Sequence, residues 1–154
     1  MTFRLTSSAF DDGARIPARF TCKGEDISPA LDWIEAPVGT LSYVLLCDDP
    51  DAPGGTWHHW AIYDIPADSR RLDPATPARP EVEGARQGVN DFGRVGYGGP
   101  CPPPGHGTHH YRFRLLALDR AELPLGADPS CAQVEAAARP HALGEALLVG
   151  TYSR

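Results

Sequence analysis

Five of the six histidines, His58, His59, His106, His109 and His110, share the middle of the chain with a block of acids at Asp48, Asp49 and Asp51. Imidazole changes charge near neutral pH, and a carboxylate against it holds the ring in one orientation and favours the charged form. Two such rings, a tyrosine hydroxyl and glycine N–H groups supply the donors that a small oxyanion such as a phosphate monoester needs. The acids follow the apolar run "LSYVLLC", and the histidines open "WHHWAIYDI" and "HHYRFRLLAL". Strand ends and the loops joining them therefore have to bring these groups to one end of a sheet.

Neighbouring residues on a strand face opposite ways, which sorts the histidines. His109 shares a face with Tyr111, Phe113 and Leu115 and is the pocket member. His110 goes with Arg112 and Arg114, toward solvent or a second polar layer. For the other pair, alternation alone does not decide. The face of His59 carries Trp57, Ala61 and Tyr63, and that of His58 carries Trp60 and Ile62. The proline-rich "GGPCPPPG" would wall a cavity with little entropy to lose on binding, and Trp57 would add a flat apolar side.

Other chemistries fit these residues less well. Asp49, His59 and His109 contain the donor types of a two-histidine, one-carboxylate metal site. The H-x-H or H-x-x-x-H spacing that puts two ligands on one face is absent, so no metal or cofactor is expected. There is no G-x-S-x-G elbow and no cysteine in an activating motif, and "GYGG" lacks the lysine and helix of a nucleotide loop. The residues point to a binding protein rather than an enzyme.

Sixteen glycines and sixteen prolines leave little room for long helices. Between them lie "RFTC", "LSYVLLC", "WHHWAIYDI", "HYRFRLLAL" and "GEALLVGTY", the pattern of a mostly antiparallel β protein, sandwich or barrel-like. "LSYVLLC" and "WHHWAIYDI" are apolar on both faces and read as central strands. "DPSCAQVEAAARP" predicts a helix capped by Asp128 or Ser130 and stopped at Pro140, and a helical turn is expected after Pro66 in "PADSRRL". The long connection Asp73–Gly107 is expected to build a site rather than idle. Ala52–Pro53 and Ser28–Pro29 are candidates for a cis bond.

The length, 154 residues, suits one domain spanning 1–154. A formal charge of −6, with no basic block, argues against nucleic-acid or anionic-membrane binding. No apolar run follows the charged start in "MTFRLTSSAFDDGARIP", so no signal peptide, membrane insertion or anchor is expected. A cytoplasmic protein is expected, with Cys22, Cys47, Cys101 and Cys131 as reduced, buried core residues.

The stretches "FTCKGEDISPALDW", "DDPDAPGGTWHHWAIYDIP", "GVNDFGRVGYGGPCPPPGHGTHHYRFRLLALD" and "ALLVGTY" together resemble the phosphatidylethanolamine-binding protein family, in its bacterial branch of Raf-kinase-inhibitor-like proteins. The resemblance implies two antiparallel sheets with a few short peripheral helices, and a small cavity for phosphate, acetate or a phosphorylated head group. Position by position, it places the cavity residues at Asp49, Asp51, Trp57, His59, Pro102, Pro103, His109 and Tyr111. It thereby chooses His59 over His58, and on His109 it agrees with the alternation. The expected roles are donation to the anion by His59, His109 and Tyr111, orientation of a histidine by Asp49, and shaping of the loop by Asp51. The rival expectation is a protein–protein regulator inhibiting a kinase or protease through rim residues such as Arg86 and His106. A third is a self-associating homodimer.

Overall fold

The computed structural model describes residues 2–154. Among them the chain forms strands β1 (Arg4–Thr6), β2 (Leu31–Ile34), β3 (Ser42–Asp49), β4 (Trp57–Pro66) and β5 (Arg71–Leu72). Strands β6 (Glu81–Val82), β7 (Ala85–Gln87), β8 (His109–Leu118) and β9 (Ala142–Tyr152) follow, with helix α1 (Cys131–Ala138) between the last two. The strands build two antiparallel sheets, one ordered β1-β2-β5 and one ordered β6-β7-β4-β3-β8-β9.

Strands apolar on both faces must be covered on both, and β3 and β4 sit at the centre of the larger sheet. Tyr43, Leu45, Cys47, Trp60, Ile62, Tyr111 and Phe113 pack on one side against Leu5, Leu31 and Trp33 of the smaller sheet. Val44, Leu46, Ala61, Tyr63 and Leu116 pack on the other against Cys131, Val134 and Ala138 of α1. Each fully buried aliphatic or aromatic side chain contributes about 1.5–3 kcal/mol, so the two apolar layers hold the central sheet from both sides.

The helix begins as its sequence predicts, with Ser130 as the cap: its hydroxyl accepts from the N–H of Gln133, whose side chain reaches back to the N–H of Ser130. Past Ala138 the chain tightens into a 3-10 turn, Arg139–His141, containing Pro140. Two local expectations are corrected. "RFTC" is not a strand: Ala18–Phe20 is a 3-10 turn, closed by the Thr21 hydroxyl donating to the Ala18 carbonyl. "PADSRRL" holds a tight turn, with the Ser69 N–H on the Pro66 carbonyl, before Arg71 and Leu72 extend to pair with β2. No peptide bond among the described residues is cis, Ala52–Pro53 and Ser28–Pro29 included.

Candidate ligand site

The histidine pair is sorted by an irregularity in β4. Cys47 lies opposite Trp60, yet the next residue of β3, Asp48, lies opposite His58. His59 is thus the extra residue of a β-bulge. Unbroken alternation would place His59 with Ala61 and Tyr63 under α1, and His58 with Trp60 and Ile62 between the sheets. The bulge exchanges them, as bulges do where a side chain must be re-aimed. His59 turns to the side of Tyr111 and lines a cavity, while His58 turns toward Asp48 and Glu135 on the helix side.

The cavity, of about 380 Å³, opens at the end of the larger sheet where β3 finishes and β4 and β8 begin. Seven of the eight residues expected there line it: Asp49, Trp57, His59, Pro102, Pro103, His109 and Tyr111. Asp51 does not. Its carboxylate accepts from the backbone and ring N–H of His110 outside the cavity, and those bonds hold it below the usual carboxylate range. The loop therefore takes its shape from Asp51, which also donates its N–H to Asp49.

Asp49 and His109 are both buried, and the His109 Nδ1 lies 2.6 Å from the Asp49 Oδ2. A carboxylate only accepts, so Nδ1 carries the hydrogen and Nε2 is the free nitrogen of that ring. That nitrogen is taken too, by the His106 Nδ1 at 2.6 Å. His59 is held differently: its Nδ1 donates to the Gly98 carbonyl at 2.6 Å. Burial pushes its pKa below the ordinary value, outweighing the Gly98 bond and the more distant Asp49, Asp48 and Asp26. With Nδ1 of His59 committed to Gly98, the ring nitrogen it leaves for the cavity is Nε2.

The remaining walls are apolar. Trp57 and Phe92, 36% and 37% exposed, meet edge to face, and Ala52, Pro53 and the Cys101–Pro103 segment complete the lining. Phe92 is presented by a turn in which the Asn90 side chain accepts from the N–H groups of Phe92 and Arg94. The motif "NDFG" carried that signal, an aromatic at a side-chain-capped turn. Gly98 permits the close fit, since any Cβ there would collide with the Phe92 ring. Cys101 is joined to Cys22 by a disulfide, which corrects the expectation of four reduced thiols. Loop bonds bring the two segments together, among them Cys22 N–H to the Pro100 carbonyl and Gly99 N–H to the Asp26 carboxylate. Cys47 and Cys131 remain free and buried.

Across the sheet, buried Asp48 accepts from Arg112 at 2.7 Å and Arg114 at 2.6 Å, and Arg114 also forks onto Glu135 of α1. Asp48, His58 and Glu135 are close enough to share a metal ion, but Arg114 already lies on both carboxylates and supplies the positive charge there. Asp49, His59 and His109 are no better as ligands, because Asp49 and His106 occupy both nitrogens of His109. Arg86 is not on the rim: it pairs with Tyr63 in the sheet and its guanidinium lies over that ring, on the helix side.

This architecture has close counterparts. The chain is 34% identical to YbcL of Escherichia coli, whose crystal structure is described as a new member of the mammalian PEBP family; the two superpose with a TM-score of 0.93 over 100% of this chain and 99% of that one. It is 50% identical to a UPF0098 protein of Aquifex aeolicus, across 96% of this chain and 86% of the relative. It is 45% identical to the putative lipoprotein LppC of Mycobacterium tuberculosis, across 96% and 71%. The family profile described as phosphatidylethanolamine-binding protein matches residues 6–153. With two sheets, a cavity at the strand ends and a match over nearly its whole length, the chain belongs to the phosphatidylethanolamine-binding protein family.

Proposed function

We propose that the chain is a binding protein whose cavity takes a small oxyanion, phosphate or a phosphorylated head group, without covalent chemistry. Tyr111 carries this reading. Its hydroxyl is buried with no hydrogen-bond partner among the described residues, in a ring set 5.3 Å from His59 and 6.4 Å from His109. A buried unpaired hydroxyl costs about 1–3 kcal/mol, and a ligand oxygen would recover that. Burial raises the Tyr111 pKa, so the phenol stays a donor. His109 would add a contact through Nε2 once His106 gives way, with Asp49 holding the ring in place. Trp57, Pro102 and Pro103 would flank whatever carries the anion.

Titrating the labelled protein with phosphate and phosphoethanolamine, followed by amide NMR, tests the reading. Shifts should concentrate around His59, His109 and Tyr111, and His109→Ala should lose them. Unmoved cavity resonances at millimolar phosphate would dismiss it. The exposed Trp57 and Phe92 favour a second reading, a protein partner docked on the rim. A Trp57→Ala variant that loses a pulled-down partner while keeping its phosphate response would support that alternative. The Cys22–Cys101 bond favours an oxidising compartment over the cytoplasm expected from the N-terminal sequence, and the relative named a putative lipoprotein points the same way.

A further inference from the structure

The geometry points to His59 as a hydrogen-bond acceptor inside the cavity, which selects oxyanions that bring their own hydrogen, such as hydrogen phosphate or the monoanion of a phosphate monoester. This rests on the oxyanion reading above and sharpens it to a ligand class.

A carbonyl oxygen has no hydrogen to give, so the 2.6 Å contact with Gly98 assigns the proton to the His59 Nδ1. The ring is clamped in that orientation between Phe92 and Tyr111, with centroids 5.4 and 5.3 Å away. Its Nε2 has no partner among the described residues. The titratable groups around it are Asp48 and Asp49 of β3, Asp26, and Tyr111 and His109 of β8; among the described residues no lysine or arginine lines the cavity. Burial outweighs those carboxylates and keeps the ring neutral. The polar end of the cavity is therefore mixed, a donor at Tyr111 beside an acceptor at His59.

An oxyanion stripped of hydrogen would set oxygen lone pairs against the Nε2 lone pair. Hydrogen phosphate instead donates its O–H to Nε2 and accepts from the Tyr111 hydroxyl with another oxygen. Sulfate has the same tetrahedral shape but no hydrogen at neutral pH. A phosphodiester, as in a phospholipid, also has none on its phosphate. Sites with a fixed polar partner discriminate strongly against analogues that cannot pair with it.

Phosphate, sulfate and dimethyl phosphate should be titrated in parallel at pH 7 by amide NMR, and the His59 ring nitrogens recorded by long-range nitrogen–proton correlation. Phosphate should bind at least about tenfold more tightly than either competitor, and His59 Nε2 should resonate as an unprotonated nitrogen. In His59→Gln, whose amide both donates and accepts, the preference for phosphate over sulfate should shrink to about twofold. If that variant does not fold, the wild-type nitrogen spectrum and anion ratios decide. Sulfate binding as tightly as phosphate, or a protonated Nε2, would overturn the inference and leave the oxyanion reading standing. Tight dimethyl phosphate binding would overturn it in favour of a lipid phosphodiester. No response to phosphate would remove reading and inference together.

Discussion

The Nδ1 of His106 lies 2.6 Å from the Nε2 of His109, on the one ring nitrogen that Asp49 leaves free. His106 is exposed, and the glycines on either side, Gly105 and Gly107, have φ of 76° and 96°, values that suit glycine and few other residues. A ligand that engages His109 has to displace this neighbour. His106→Ala should therefore tighten phosphate binding at pH 7, by roughly fivefold if the lost bond is worth about 1 kcal/mol. Calorimetric titration of both proteins checks this; weaker binding by the variant would mean that His106 itself touches the anion.

Among the described residues, Asp49 is the only acceptor on the buried Nδ1–H of His109. Asp49→Ala should lower folding stability by about 1–3 kcal/mol, the cost of an unpaired buried donor. Asp49→Asn should restore most of it, because the amide carbonyl accepts the same hydrogen. Urea unfolding of the three proteins checks both, and an unaltered Ala variant would contradict the pairing.

The lowered pKa of His59 makes stability depend on pH. The unfolded ring takes up a proton near 6.5, the folded one only at lower pH, so the unfolded chain binds more protons between those values. The contribution is fully present above 6.5 and is lost as pH falls toward the folded value. Denaturation midpoints at pH 7.5, 6 and 5 should fall in that order, and His59→Gln should flatten this part of the fall.

The Cys22–Cys101 bond spans a sequence separation of 79. Cross-linking a loop of that size is worth about 4 kcal/mol through the unfolded chain, so the double serine variant should unfold well below the wild type. Alkylation of the denatured, unreduced protein should label two thiols, Cys47 and Cys131. Four labelled thiols would show that the bond does not form.

Alternation read β8 correctly because its pairing with β3 is unbroken from Ser42–Leu118 to Asp48–Arg112. His109, Tyr111 and Phe113 are buried on one face, while Arg114 meets the polar layer under α1. On β4 the same rule stops at the bulge, where the resemblance to the family, and not periodicity, pointed to His59. Other parts of the site left no trace in spacing. The Gly98 carbonyl is a backbone group with no identity in the sequence, and the Cys22–Cys101 pairing depends on loops that meet only in the fold. Strands β1 and β2 are too short to show a period. Asp51 carries the chemistry of a ligand contact but spends it on His110.

The bulge at His59 makes the choice of cavity imidazole a matter of counting. Deleting one residue between Trp57 and Trp60 would restore even pairing and swing whichever side chain then precedes Trp60 toward the helix. Swapping the two histidines changes nothing, since they are chemically identical, whereas a shift of register by one place would empty the site. Which imidazole faces the cavity is stored in the path of the backbone before it is stored in any side chain.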